Sequence, residues 1–189
     1  MPRAGLTPDV VVAEAARVAD ASGYDRLTLA AVAQRFGVAV PSLYKHVAGL
    51  DALRREVAIR GIRELGDALA VAVRGGGDEG LTTIAHAYRA FARSHPGRYA
   101  ATLRAPAPDD SEAGAASRAV LDTVFSVLSG YGLTGADAID ATRALRAALH
   151  GFVQLEAVGG FGMPQDVDRS FARLVELLDT ALRNWKPVP

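Results

Sequence analysis

The sequence, 189 residues long, predicts an all-α protein of about nine helices. Two observations carry this. Apolar residues recur three and four apart from Val11 to Trp185, the period of a helix with one buried face, and no segment alternates with the period of two that a half-buried strand needs. Gly- and Pro-rich stretches punctuate these periodic segments and mark where helices stop. Apolar residues make up 50% of the chain and charged residues 22%, enough to bury a core and unlike the composition of a disordered chain.

The N-terminal stretch Met1 to Leu6 reads as a frayed arm, from which Arg3 has the reach to enter a minor groove. Thr7-Pro8 opens the first helix in cap-then-proline order, and Val11, Val12, Ala15, Val18 and Ala19 give it an apolar stripe up to Ser22-Gly23. A second helix starts after Thr28, whose hydroxyl can accept an orphan amide proton. Leu29, Val32, Ala33 and Phe36 form its apolar face, and Gly37 follows where a residue past a helix end often needs positive φ. After the turn Val38-Ala39-Val40, Pro41 suits the first position of another helix, Pro41 to His46.

On this third helix Leu43 and Val47 can face inward, leaving Ser42, Tyr44, Lys45 and His46 at the surface. Ser42 and Tyr44 can hydrogen-bond phosphate, and Lys45 can reach a phosphate or a base edge. Spacing alone also suits an ordinary solvated helix, since two short helices joined by a Gly turn occur in many proteins. Gly37-Val38 followed by Pro41-Ser42-Leu43-Tyr44-Lys45-His46-Val47 resembles the recognition-helix signature of the TetR family of bacterial transcriptional regulators. The resemblance implies a helix-turn-helix at about 28–47 and DNA contacts from Thr28, Pro41, Ser42, Tyr44, Lys45 and His46. The family's pattern has a Lys near the start of the next helix to hold phosphate; Gly49-Leu50-Asp51 stands there instead.

Residues 49–74 read as one long helix, with Leu50, Leu53, Val57, Ile62, Leu65 and Leu69 as its main apolar positions. Gly61 and Gly66 weaken it by roughly 1 kcal/mol each relative to Ala unless they permit close packing. Gly75-Gly76-Gly77-Asp78-Glu79-Gly80 is the clearest linker. The expected division is a DNA-binding domain at 1–53 and a helical regulatory and dimerisation domain at 54–189. In the latter, Leu81, Ile84, Ala85, Tyr88 and Ala92 mark a helix that stops at His95-Pro96-Gly97. A short helix at 98–103 follows, then a loop with Asp110 or Ser111 as the next cap. Leu121, Val124, Phe125 and Leu128 belong to a helix ending at Gly130-Tyr131-Gly132. Thr134 opens a long helix to about Val158. Gln165 opens the last, striped by Phe171, Leu174, Val175, Leu178, Leu182 and Trp185.

The helix from Thr134 has three faces: Leu145, Leu149, Phe152 and Glu156; the small-residue face Ala144, Ala148, Gly151 and Leu155; and Arg146, His150 and Gln154. Small residues admit a close neighbour. With Phe171, Leu174 and Leu178 of the last helix, the second face predicts a four-helix homodimer interface; the alternative is packing within one chain. His95-Pro96-Gly97-Arg98-Tyr99 and Leu149-His150-Gly151-Phe152 also resemble the regulatory domain of a TetR subgroup named for a Trp-His-Gly triplet, with Leu149 where that name has Trp. Tyr88, Phe91, Tyr99, Leu103, Phe125 and Phe152 have the means to line an apolar pocket, with His150 and Gln154 as its polar groups. Resemblance to the family implies a small effector, here mostly apolar, whose binding releases DNA.

The formal net charge is zero, but between Arg35 and Arg60 five bases (Arg35, Lys45, Arg54, Arg55, Arg60) face two acids (Asp51, Glu56), an excess of three. Such a patch on a neutral body suits a DNA-binding module. No cysteine is present, and His46, His86, His95 and His150 show no metal spacing, so no metal, cofactor or catalytic residue is expected. No signal peptide or membrane-spanning run is legible, which predicts a cytoplasmic protein. Only two of 21 basic residues are lysine, a composition suggesting a GC-rich bacterial genome. The expected function is a homodimeric repressor released from a palindromic operator by an effector. The alternative is a helical small-molecule-binding or interaction protein without DNA binding.

Overall fold

The computed structural model describes residues 5–75 and 80–186; Arg3 and most of the glycine linker lie outside them. The described residues form eight α-helices, two 3₁₀ segments and no strand. The helices are α1 (Pro8–Ser22), α2 (Leu29–Phe36), α3 (Leu50–Gly75), α4 (Gly80–Ser94), α5 (Pro96–Ala101), α6 (Ser111–Ser129), α7 (Gly135–Ala157) and α8 (Val167–Arg183). The 3₁₀ segments are Tyr24–Arg26 and Val40–Lys45. None of the helices is long and apolar enough to cross a membrane.

Capping follows the sequence closely. The Thr7 hydroxyl accepts the Val10 amide at 3.3 Å, and Thr28 accepts that of Ala31 at 3.1 Å. Gly37 sits at φ +63° and closes α2, with the Val38 amide donating to the Ala33 carbonyl at 3.1 Å. Asp110 caps α6 through the Ala113 amide at 3.0 Å. Asp166, rather than Gln165, caps the last helix through the Arg169 amide at 2.7 Å.

The chain forms two compact units. The first holds residues up to Leu65 and Ser94–Ser117; the second holds Gly66–Arg93 and the chain from Arg118 on. The units follow contacts rather than chain order, so the segment containing α5 belongs with the N-terminal helices. Within the first unit Val11, Ala15, Leu27, Val32, Leu43, Leu53 and Val57 form a common core, and each is at most 2% exposed.

Backbone meets backbone where α5 lies on α1 and α3. A Cβ on Gly97 would stand 2.1 Å from Ala19 C and O, and one on Gly61 would stand 2.7 Å from Arg98 O. Gly61 is therefore the price of close packing, not a flaw in α3. Asp20 of α1 accepts the Arg98 amide and Arg98 Nε, each at 2.8 Å, while Arg98 Nη1 donates to Glu64 and Nη2 lies 2.7 Å from His95 Nδ1. In the second unit Ala85, Leu149, Phe171 and Val175 form a core against which Tyr88, Phe152 and Leu178 pack.

Candidate nucleic-acid interface

The segment expected as an α-helix at 41–46 is a 3₁₀ helix at Val40–Lys45. Six residues close barely two turns, and i→i−3 bonds are what so short a piece forms: Ser42 N donates to Ala39 O at 2.9 Å and His46 N to Leu43 O at 2.8 Å. Leu43 (0% exposed) and Val47 (8%) are buried, and burying Leu43 contributes on the order of 2 kcal/mol to holding the segment in place. The opposite side is open: Tyr44 is 58% exposed, Pro41 and Lys45 are exposed, and Ser42 and His46 are half-buried. Thr28, whose hydroxyl caps α2, is exposed as well.

The positive excess of 35–60 is mostly neutralised from elsewhere in the chain. Arg35 Nε donates to Glu14 Oε1 at 2.7 Å, and Arg17 shares that carboxylate at 2.8 Å. Glu14 lies in α1 and is 9% exposed; burial works to raise its pKa, but the bonds from Arg35 and Arg17 outweigh this and hold it below the ordinary carboxylate value. Arg55 forks onto Asp110 at 2.6 and 2.7 Å and reaches Glu112 at 3.1 Å. Arg60 Nε lies 2.7 Å from Glu64 Oε1, close enough for an ion pair but misaligned for a hydrogen bond. Local counting along the chain cannot see partners supplied by Glu14, Asp110 and Glu112.

The eight residues expected around an effector divide between the units. Tyr99 (2% exposed) and Leu103 lie in the first; Tyr88, Phe91, Phe125, His150, Phe152 and Gln154 lie in the second. Burial and the nearby Arg146 charge lower the pKa of His150.

Among the expected interface positions, Ala144 is exposed, Ala148 half-buried and Leu155 49% exposed, and nothing lies within 4 Å of a Cβ built on Gly151. Leu174 and Leu178 are half-buried. Phe171 is a correction: at 0% exposed it is a core residue under α8 and offers no surface to a partner. Leu174, with the 69%-exposed Leu177, lines a shallow groove of about 420 Å³ on the outer side of α8.

One group escaped the sequence reading. Arg89 stands among the apolar residues of α4, and that misfit was its only signal. It is 6% exposed, donates to Glu156 through Nε at 2.8 Å, and lies 2.7 Å from Asp168. Its guanidinium carbon is 4.6 Å from the Phe171 ring centre and 5.6 Å from that of Phe152. Glu156 is thereby an ion-pair partner, its pKa lowered by the bonds from Arg89 against the opposing effect of burial.

Residues 11–57 match the family model described as bacterial regulatory proteins, tetR family, and residues 81–178 match the tetracyclin repressor-like C-terminal domain. The chain is similar to YobS, an uncharacterised HTH-type transcriptional regulator of Bacillus subtilis, with 38% identity over 172 residues and 90% of each chain covered. An HTH-type regulator of Mycobacterium tuberculosis is 42% identical over 158 residues, 82% of this chain and 72% of that one. A solved structure of a protein of unknown function from Rhodococcus sp. RHA1 is 25% identical, with 97% of both chains covered and a TM-score of 0.75.

Proposed function

The chain belongs to the TetR family of bacterial transcriptional regulators, and on that premise we propose that it is a homodimeric repressor that leaves a palindromic operator when a small, mostly apolar effector binds. It carries a DNA-binding helix-turn-helix and is a regulator rather than an enzyme. The observation supporting a DNA-reading surface is the separation of faces at 40–47: Leu43 and Val47 anchor the segment inside while Pro41, Tyr44 and Lys45 are held out. In this reading residues 1–53 contact DNA in the cytoplasm, with Thr28 and Ser42 against phosphate, Tyr44 and Lys45 in the groove, and Pro41 and His46 at its rim. Residues 54–189 serve regulation and dimerisation.

Mobility shift against DNA from the region upstream of its own gene tests the proposal. Binding is expected to weaken with salt, and Lys45→Ala is expected to lower affinity and flatten the log K against log salt plot by about one unit of slope, with Tyr44→Ala lowering affinity as well. No shift at low or moderate salt would favour a helical binding protein without DNA activity. Footprinting is expected to show an inverted repeat whose half-sites are about one helical turn apart or slightly more, since a two-fold dimer presents its two reading segments that way.

Dimerisation through α7 and α8 would use Ala144, Ala148, Gly151 and Leu155 with Leu174 and Leu178. Because a Cβ on Gly151 meets nothing within 4 Å in the single chain, Gly151→Phe is expected to leave folding intact and to halve the mass seen by light scattering. An unchanged mass would place the interface elsewhere.

For the effector, Tyr88, Phe91, Phe125 and Phe152, with His150 and Gln154, are the lining proposed within the second unit; Tyr99 and Leu103 are left out of it. The paired Arg89 and Glu156 bring no net charge, which suits an uncharged ligand. Such a ligand releases DNA only by binding the released state more tightly, with a coupling of roughly 1 to 3 kcal/mol. The helix α3, whose residues belong to both units as those of α6 do, is the proposed covalent route for that change.

A further inference from the structure

Arg54 is the arginine of the 35–60 patch whose charge no carboxylate meets. Arg35, Arg55 and Arg60 each have an acidic partner within 2.7 Å, whereas among the described residues none lies within 4.0 Å of the Arg54 guanidinium. Its Nη2 donates to two neutral acceptors, the Asp25 carbonyl at 3.1 Å and the Leu27 carbonyl at 3.2 Å. Its Nε is buried without a partner, and the Tyr24 hydroxyl donates to the Arg54 carbonyl at 3.1 Å, so residue 54 and the turn at 24–27 fix each other. These contacts hold the guanidinium in one place while its positive charge is left un-neutralised, which a purely structural clamp does not require.

The position supplies the explanation. Leu27 immediately precedes Thr28, the cap of α2, so the guanidinium is fixed at the start of the first helix of the helix-turn-helix. In helix-turn-helix docking that first helix crosses the nucleic-acid backbone while the second reads the groove. We propose that Arg54 is a phosphodiester contact, the one arginine of the patch whose full charge remains available to DNA, acting beside Lys45. This rests on the DNA-binding reading above and adds a contact that the exposed face at 40–47 does not contain.

The test measures affinity for the upstream DNA fragment as a function of salt in full-length wild type, Arg54→Gln, Arg54→Lys and Arg55→Gln. Gln keeps a donor for the turn carbonyls and removes the charge. Arg54→Gln is expected to reduce the salt slope by about 0.9 and affinity at 0.15 M salt by about fivefold, the amount one released counterion supplies relative to 1 M. Arg54→Lys is expected to keep the wild-type slope. Arg55→Gln is also expected to keep it, because Asp110 and Glu112 already neutralise Arg55. A lowered melting temperature and affinity in Arg54→Gln with an unchanged slope would make Arg54 a structural clamp and overturn the proposal, as would equal slope changes at 54 and 55. Failure of wild type to bind DNA at all would instead overturn the reading on which it rests.

Discussion

Gly97→Ala is expected to be the most damaging single-methyl change in the protein, lowering stability by about 3 kcal/mol. For a chain of this length that corresponds to a fall of roughly 6–12 °C in melting temperature. The added Cβ would sit 2.1 Å from the backbone of Ala19, and backbone cannot rotate away as a side chain can. Helix α5 would have to lift from α1, parting Arg98 from Asp20, to which it donates twice at 2.8 Å. Thermal unfolding followed by circular dichroism checks this, with Gly162→Ala as the control in which the new Cβ meets nothing within 4 Å. A Gly97→Ala melting temperature within 2 °C of wild type, on the order of a 1 kcal/mol effect at most, would show that α1 and α5 can part at little cost. DNA affinity is expected to fall as well, because α1 supports α2 and the reading segment through the shared core of Val11, Val32 and Leu43.

Arg89→Ala should cost about 3 kcal/mol for a different reason: it leaves the Glu156 carboxylate, 18% exposed, without its main partner. Replacing both members, Arg89→Met with Glu156→Leu, is expected to recover most of the loss, since the penalty belongs to the unpaired charge rather than to the missing pair. The pH dependence separates this from simple cavity formation. In wild type the Glu156 pKa is below its ordinary 4.5, so the stability it contributes is complete above about that pH and is lost as pH falls through the lower folded value. In Arg89→Ala protonation relieves a part-buried carboxylate left with only Arg93, at 3.8 Å, so the gap in melting temperature between variant and wild type is expected to narrow between pH 7 and 4. A gap constant over that range would assign the loss to packing around Phe171 and Phe152.

Much of the fold was legible because its signals are local. Thr7, Thr28 and Gly37 act on amides and carbonyls within four residues, and they cap the helices where the sequence says they do. Helix α8 starts two residues later than Gln165 suggests, because the Asp166 side chain captures the Arg169 amide. The outward side at 41–46 is likewise readable from the spacing of Leu43 and Val47, with Pro41, Tyr44 and Lys45 exposed but Ser42 and His46 half-buried, and the family from the motif that runs from Gly37 to Val47. What spacing could not give was helix type: a segment this short settles into 3₁₀ bonds, and the apolar period does not distinguish the two over six residues.

The sequence by itself determined an all-helical chain, the place of its helix-turn-helix and the side chains that face outward there, because periodicity, caps and the motif are properties of neighbours along the chain. Only the tertiary structure decided which charges remain available. Glu14, Asp110 and Glu112 reach across 21 to 57 positions to neutralise Arg35, Arg55 and Arg63, while Arg54 meets only carbonyls. It also decided that Phe171 is core rather than interface, that Arg89 is buried with Glu156, and that the glycines at 61 and 97 are sites of backbone contact. The physical reason is common to all of these: an ion pair or a close approach depends on which helices are brought together in space, and that information is absent from any window of sequence short enough to show a period.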